Sequence, residues 1–256
     1  MTRMRLGAML AHLSVAEPRP VVDWARRLAD AGFQSLWIPQ LIGRGMFVPD
    51  PFVTLAAAAV ATRTIPGVEL GTATVQVPLH HPVDLAHRIR SVQLICGDRL
   101  SIGLSPGSTA TDFAALDQDF RSRFRTFGQR VGRLRGLLTD GHDDGTDLGV
   151  TDPVRGCPPL LLGSWGANVE RAAREFDGWL ASGYRRAPEQ IIAAHQRFRA
   201  AGGRRAIVTA VPVAGPGDLP RVGQELHRYA DAGFDDAVVL IEPAGPTPEL
   251  VRALFP

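Results

Sequence analysis

The feature that most constrains the fold of this chain is a regular alternation of strand and helix patterns along its 256 residues. Short apolar or β-branched runs, typical of buried parallel strands, are each followed by a segment with helical spacing of apolar residues. The alternation occurs eight times in the sequence and predicts an α/β fold of the (β/α)8 TIM barrel type. No linker or internal repeat interrupts it, so we expect one barrel domain over residues 1–256.

The predicted elements are bounded by prolines, glycines and capping residues. Strands are predicted at 4–10, 33–39, 68–75, 100–104, 159–163, 177–182, 205–213 and 234–241. Helices are predicted at 20–31, 51–61, 82–95, 113–138, 167–176, 188–201, 219–232 and 248–255. Asp50 and Pro51 have the types expected at the cap and first turn of the second helix. The Asp- and Gly-rich segment from Thr139 to Gly156 is predicted to be a loop.

Composition excludes several classes of function. The net charge is +2 and the arginines are scattered rather than grouped in a basic block, which argues against a nucleic-acid partner. All 28 basic residues are arginine, so a Schiff-base mechanism, which needs a lysine amine, is excluded. The two cysteines, Cys96 and Cys157, form neither a disulfide framework nor a zinc cluster pattern.

The sequence shows no segment that predicts a membrane partner. No apolar run approaches the ~20 residues of a membrane-spanning helix. The first ten residues, MTRMRLGAML, lack the length and the cleavage site of a signal peptide. We therefore expect a cytoplasmic protein that acts on a small molecule.

Small and polar residues follow three of the predicted strands, and these runs predict a ligand site. They are Thr72 to Gln76, Ser105 to Ser108 and Gly163 to Asn168. In parallel barrels the ligand binds at the carboxyl ends of the strands. Glycine lets the backbone approach a flat ring or a phosphate closely, and backbone N–H groups at a helix start bind phosphate.

Residues 71–108, GTATVQVPLHHPVDLAHRIRSVQLICGDRLSIGLSPGS, resemble the signature region of the bacterial luciferase-like flavin and deazaflavin oxidoreductase family. Residues 31–40, AGFQSLWIPQ, and 50–73 resemble the branch of that family that uses coenzyme F420. The resemblance implies an F420-dependent oxidoreductase that transfers a hydride between the deazaflavin and an unknown small organic substrate. Two alternatives stay open: an FMN-dependent luciferase-like monooxygenase, and a barrel that has lost catalysis or only binds a ligand.

The resemblance also implies a set of cofactor-binding residues. A β-bulge with a non-proline cis peptide backs the flavin ring in the family, and Thr74 and Val75 are the matching positions. The loop after the fifth strand helps to hold the cofactor phosphate, and Trp165 is the tryptophan that could stack on a ring. The full set implied is Thr74, Val75, Ser105, Pro106, Gly107, Ser108, Gly163, Ser164, Trp165 and Gly166.

The chain departs from the family pattern where an acid or a base is expected. Deazaflavin dehydrogenases of the family carry Asp-His at the end of strand two, and this chain has Gln40-Leu41. They carry an acidic residue where this chain has Ser108. The resemblance therefore gives no proton donor, and Gln40 is expected to hydrogen-bond the ring or the substrate. His12, at the end of strand one, is the other candidate catalytic residue because an imidazole there could orient the substrate.

Further expectations concern the periphery of the site. The run from Ser182 to Arg186 is polar and cationic and could meet a phosphate or the acidic tail of the coenzyme. His80, His81, Asp84 and His87 leave open a metal-dependent hydrolase, although no metal site is expected.

The family usually carries an excursion before strand five, and only the Thr139 to Gly156 segment remains for it here. The family commonly dimerises through barrel helices, so a homodimer is expected.

Overall fold

The structure is a computed structural model that describes residues 4–11, 20–143, 145–149, 154 and 156–255. Its strands are β1 (Arg5–Met9), β2 (Ser35–Ile38), β3 (Glu69–Gln76), β4 (Leu100–Ser105), β5 (His142–Asp143), β6 (Thr146–Asp147), β7 (Leu160–Gly163), β8 (Gly178–Ser182), β9 (Arg205–Val213) and β10 (Asp236–Ile241). Eight of them form a closed parallel barrel in the order β1-β10-β9-β8-β7-β4-β3-β2. The predicted (β/α)8 barrel is confirmed.

Helices follow the barrel strands on the outside of the sheet. They are α1 (Val21–Asp30), α2 (Pro51–Ala61), α3 (Pro82–Cys96), α4 (Ala110–Ala114), α5 (Arg123–Asp140), α6 (Asn168–Glu175), α7 (Pro188–Ala200), α8 (Leu219–Asp231) and α9 (Pro248–Arg252). The Asp50 carboxylate accepts the N–H groups of Phe52 and Val53, so the predicted cap of α2 is confirmed. No helix among the described residues has the length and apolar character needed to cross a membrane.

The predicted helix at 113–138 is wrong, because the chain there forms two helices separated by a turn. The Asp119 carboxylate accepts the backbone N–H groups of Arg121 and Ser122 at 2.9 and 3.2 Å. A short acidic side chain that bonds nearby N–H groups competes with the helix ladder. The helix α5 then continues past Leu138 and ends at Gly141, which has a φ of +80°. The predicted loop at Thr139 to Gly156 therefore begins later and contains the β5–β6 hairpin.

The barrel interior is filled by a separate apolar cluster. It consists of Met9, Trp37, Leu161, Leu180, Ile207, Val238 and Leu240. Gly71 makes room for the largest member, because a Cβ at Gly71 would lie 2.3 Å from the Trp37 ring. The interior is therefore a packed core below a cavity rather than a channel.

An ion network, which we call the basal network, lies where the barrel strands begin. Its members are Arg5, Glu69, Arg205 and Asp236. Arg205 lies 2.8 Å from Glu69 and 2.9 Å from Asp236, and Arg5 lies 2.6 Å from each carboxylate. Burial favours protonation of Glu69, but the arginines outweigh it and lower its pKa to about 2. Burial raises the pKa of Asp236. Two cations and two acidic groups thus meet inside the protein.

Two strands are bulged near their carboxyl ends and face each other across the barrel. The pairing of β3 with β4 shifts between Thr72 and Val75, and the Ala73–Thr74 peptide bond is cis. The pairing of β9 with β10 shifts between Ala237 and Val239, and Ala210 in β9 has a φ of +56°. Since β3 and β9 are four strands apart in a ring of eight, the bulges lie on opposite walls.

Candidate active site

A cavity of about 510 Å³ opens at the carboxyl ends of the barrel strands. Its volume lies in the range of small-molecule and cofactor sites. The apolar part of its lining includes Met9, Pro39, Leu41, Ala73, Pro106, Phe124, Trp165, Leu180, Ala210 and Leu240. The polar part includes Gln40, Thr74, Gln76, Ser105, Ser108, Ser164, Ser182, Tyr184 and Thr209, together with Arg44, Arg123, Arg185 and Arg186. None of the described lining residues is acidic.

Gln40 lines the cavity with its amide fixed at both ends. Its Oε1 accepts the backbone N–H of Gln76 at 2.9 Å, which sets the orientation of the amide. Its Nε2 lies 2.8 Å from Nε2 of His80. An amide nitrogen only donates, so His80 accepts at Nε2 and carries its proton on Nδ1. Burial, followed by the charge of Arg88, lowers the pKa of His80 to about 4, so the imidazole is neutral at neutral pH.

Gln76 and Asp112 extend this network to an arginine that sequence reasoning missed. The Gln76 Nε2 donates to the Gln40 carbonyl at 3.2 Å and to Asp112 Oδ2 at 2.6 Å. Arg44 binds the same carboxylate through two nitrogens, with Nε 2.7 Å from Oδ1 and Nη2 on Oδ2. Asp112 is fully buried, so the pair behaves as a buried ion pair that is costly to break from one side. Arg44 also lines the cavity, and its Nη1 is not bonded to this carboxylate.

The runs after β3 and β4 meet on one wall, as the sequence predicts. Thr74 Oγ1 donates to Ser105 Oγ at 2.7 Å, and both residues line the cavity. Gly107 has a φ of +84°, and a Cβ there would lie 2.6 Å from Phe113 and 2.7 Å from Gln76 Oε1. Pro106, Gly107 and Ser108 also line the cavity. Only glycine fits between the cavity and the residues behind it.

The run after β7 forms the neighbouring wall. Gly163, Ser164 and Trp165 line the cavity, and a Cβ at Gly163 would lie 2.5 Å from the Thr74 methyl group. The Trp165 ring packs 6.1 Å from Trp179 and carries the Arg186 guanidinium 4.6 Å from its centroid. The predicted cationic run from Ser182 to Arg186 thus reaches the cavity beside Trp165. Arg185 Nη2 also donates to Thr109 Oγ1 at 3.3 Å, which links this wall to the loop after β4.

Two of the predicted residues that the structure describes, Val75 and Gly166, are not among the residues that line the cavity. The side chain of Val75 is fully buried in the core outside the barrel interior, and the cis peptide bond joins Ala73 to Thr74. Ala73 lies at the cavity instead. Gly166 is not a lining residue; it has a φ of +66° and forms the turn before α6. His12 lies outside the described residues, so its role stays a prediction.

The histidines after β3 do not form a metal centre. His80 is bonded to Gln40, while His81 and His87 are exposed. Asp84 pairs with Arg88 at 2.9 Å. Across the part of the chain that the structure describes, no group of three or more His, Cys, Asp or Glu side chains is arranged to hold a metal ion. The geometry gives no support to the metal-dependent hydrolase.

Comparison with protein families tests the resemblance. The sequence profile of the luciferase-like monooxygenases matches residues 2–236. The chain belongs to this family. Its members are oxidoreductases or monooxygenases, so the luciferase-like assignment made from residues 71–108 is confirmed.

Similar proteins within the luciferase-like family include both F420-dependent enzymes and monooxygenases. An F420-dependent hydroxymycolic acid dehydrogenase of Mycobacterium tuberculosis is 26% identical over 250 residues, which are 91% of this chain and 64% of that protein. The 4-hydroxyprotoasukamycin monooxygenase of Streptomyces nodosus subsp. asukaensis is 30% identical over 146 residues, covering 54% and 38% of the two chains. This chain thus spans less than two thirds of the length of either relative.

A solved structure shows the same luciferase-like fold. An F420-dependent secondary alcohol dehydrogenase, in complex with an F420-acetone adduct, has a TM-score of 0.78 and 12% identity. The alignment covers 99% of this chain and 98% of that chain. At this identity the likeness concerns the fold.

Proposed function

We propose that this luciferase-like protein is an F420-dependent oxidoreductase that transfers a hydride between the deazaflavin coenzyme and a small organic substrate. The observation that carries the proposal is the charge of the cavity wall. Four arginines line it; among the described residues Arg44 is paired with a carboxylate, whereas the adjacent Arg185 and Arg186 have no such partner. Guanidinium groups without a carboxylate partner favour a ligand with several negative charges.

Arg185 and Arg186 are the residues best placed for the anionic end of the coenzyme. Both lie after β8, beside Ser164 and Trp165 of the loop that the family uses for the phosphate. Coenzyme F420 carries a phosphodiester and a tail of glutamate carboxylates, whereas FMN carries a single phosphate. Both arginines are exposed at the cavity mouth, where a long tail can extend into solvent. This placement favours the deazaflavin over FMN.

The interior of the cavity fits a flat tricyclic ring. Met9, Leu180 and Leu240 give it an apolar floor, and the bulges at Ala73 and Ala210 form opposite sides. When bound, the deazaflavin would act as a two-electron hydride carrier. Gln40 can donate its second amide hydrogen to a ring or substrate oxygen, because its first is held by His80. The protein thereby contributes binding and orientation.

The direct test of the proposal is a titration of the purified protein with coenzyme F420 and, separately, with FMN, followed by fluorescence. We expect F420 to bind in the micromolar range and FMN to bind at least about tenfold more weakly, a difference of ~1.4 kcal/mol. Preferential binding of FMN would overturn the proposal and favour the monooxygenase alternative. Binding of neither at tens of micromolar would favour a barrel without catalysis.

We also propose that the protein is a cytoplasmic homodimer. Helix α2 contains no charged residue, yet Val53 and Val60 are 69% and 60% exposed on it. On the neighbouring α3, Leu94 and Ile95 are 61% and 48% exposed. An apolar face of this kind is expected to be covered by another chain. Val60→Glu should give a monomer by light scattering, whereas Leu250→Glu on α9 should not; an unchanged mass for Val60→Glu would refute this contact.

A further inference from the structure

Arg123, at the start of α5, is a cavity-lining cation that the coenzyme proposal does not use. Its guanidinium carbon lies 3.9 Å from the centroid of the Phe120 ring and 4.4 Å from that of Phe124. Its Nη1 donates to the Phe120 carbonyl at 3.0 Å. Its Nε is buried and has no hydrogen-bond partner within the described structure. No carboxylate of the described residues pairs with it.

The two rings position the Arg123 guanidinium without neutralising it. Cation–π contacts hold the group in place and exclude part of its water. They provide no negative charge, and the unpartnered Nε remains a buried donor that costs free energy. Because the Nε is enclosed by protein, a planar anion in the cavity would bind through the Nη groups, and it would compensate the charge.

Arg44 reaches the same side of the cavity through the segment that contains α4. A Cβ at Gly43 would lie 2.8 Å from Ala115, so the loop after β2 packs directly on this segment. The partner of Arg44, Asp112, precedes Phe113, whose ring packs at 5.3 Å and edge to face on Phe120. Arg44 is neutralised by Asp112 and offers directed N–H donors, whereas Arg123 contributes the net positive charge.

The other two arginines come from a different part of the chain. Arg186 lies over Trp165 of the loop after β7, and Arg185 donates to Thr109. Two of the four arginines thus follow β8, and the other two come from the start of α5 and the loop after β2. An enzyme that joins a coenzyme and a substrate in one cavity needs two recognition sites.

We propose that Arg123, assisted by the free N–H groups of Arg44, is a substrate subsite for the carboxylate of an organic acid with an apolar body. The inference rests on the proposed function, since it assigns the other arginines to the coenzyme. The carboxylate is held by the guanidinium fork, and the apolar body contacts Phe124 and the barrel floor. The subsite orients the substrate and takes no part in proton or hydride movement.

The test uses naphthalene-2-carboxylate and its uncharged analogue naphthalene-2-carboxamide as probes. Their affinities are measured by titration calorimetry for the protein with and without F420. We expect the carboxylate to bind about tenfold or more tightly than the amide. Arg123→Gln should reduce this ratio to within about twofold of unity, while Arg123→Lys, which keeps the charge but loses the fork, should retain part of it.

Two controls separate this subsite from the coenzyme site. Arg125→Gln makes the same change in the same helical turn at an exposed residue that does not line the cavity, and it should leave the ratio unchanged. Arg186→Gln should weaken F420 binding and leave the ratio unchanged, whereas Arg123→Gln should leave F420 affinity within about twofold of wild type.

The outcomes distinguish the two proposals. Carboxylate selectivity that depends on Arg123 supports the subsite, even if F420 fails to bind and the proposed function falls. Equal affinity for the two probes, no binding of either at millimolar concentration, or selectivity that survives Arg123→Gln would overturn it. Loss of F420 binding in Arg123→Gln would also overturn it and assign Arg123 to the coenzyme tail.

Discussion

At the base of the barrel, Arg5 and Arg205 meet Glu69 and Asp236, whereas at the mouth four arginines line a cavity with one carboxylate, Asp112, bonded to Arg44. Both regions use arginine as the cation, at opposite ends of one barrel. At the base the charges are paired within the protein and contribute to stability. At the mouth the charges and N–H donors exceed their internal partners, and a ligand completes them. Arginine content therefore says little about function until its partners are known.

The largest effect that would sharpen this comparison is expected at the base. Glu69→Gln leaves Arg5 and Arg205 with one acidic partner and should lower the free energy of unfolding by about 3–5 kcal/mol. The matched change Glu175→Gln, in an exposed pair with Arg171, should cost less than about 1 kcal/mol. Urea denaturation of both variants measures the difference. If both variants lost the same free energy of unfolding, the basal network would contribute no more to stability than an exposed ion pair.

The difference in unfolding free energy between wild type and Glu69→Gln should also depend on pH. Because the pKa of folded Glu69 is about 2 and its unfolded value is near 4.5, the folded state binds fewer protons in that interval. The stability from this carboxylate is complete above pH 4.5 and is lost as the pH falls toward 2. The stability gap between wild type and Glu69→Gln should therefore narrow over this interval; a constant gap would contradict the assignment.

The next effect concerns the shape of the mouth. Gly107→Ala places a Cβ 2.6 Å from Phe113 at a φ of +84°, so it combines backbone strain of about 1–2 kcal/mol with a clash. Gly166 also has a positive φ, but a Cβ added there by Gly166→Ala would have no atom within 4 Å. We expect Gly107→Ala to weaken both stability and F420 affinity more than Gly166→Ala does. Identical behaviour in denaturation and binding assays would remove Gly107 from the site.

A smaller effect is expected from removing one exposed cation at the mouth. Arg186→Gln should change the free energy of unfolding by less than about 1 kcal/mol, because its cation–π contact is exposed. It should weaken F420 binding by about tenfold, and the loss should shrink at high salt. Arg204→Gln makes the same charge change at a side chain that is 79% exposed before β9, at the other end of the barrel. If Arg204→Gln weakened F420 binding as much as Arg186→Gln, the position of Arg186 at the mouth would not explain its effect.

The smallest effect is expected for His80, which should make F420 affinity no more dependent on pH between about 5 and 8. Because the pKa of His80 is lowered to about 4, the imidazole stays neutral and keeps its bond to Gln40 from pH 8 down to about 5. F420 affinity should be flat over that range and fall only near pH 4. A midpoint near pH 6.5 that disappears in His80→Asn would show that His80 is accessible and titrates normally.

The sequence predicts the barrel well because its signals are local. Apolar strand runs and capping pairs such as Asp50-Pro51 depend on neighbours in the chain, and the structure confirms them. The turn at Asp119 was missed because one side chain that bonds two N–H groups leaves the apolar spacing on either side unchanged.

The site was predicted only where its residues adjoin strand ends. The glycine and serine runs after β3, β4 and β7 reach the cavity. Asp112 and its partners were missed because they are distant in the sequence. Asp112 is 36 residues from Gln76 and 68 residues from Arg44. No local pattern reports such a pairing, although Gly43 and Gly45 around Arg44, just after β2, mark a loop at the mouth. His12 stays a prediction.

The central claim is that Arg185 and Arg186, which have no carboxylate partner among the described residues, bind the anionic end of a deazaflavin coenzyme. The most direct measurement compares the affinity of the protein for F420 with its affinity for the same deazaflavin chromophore without the phosphate and glutamate tail, at low and high salt. We predict that F420 binds at least about tenfold more tightly at low salt and that the advantage shrinks at high salt. Equal affinities at low salt would contradict this account.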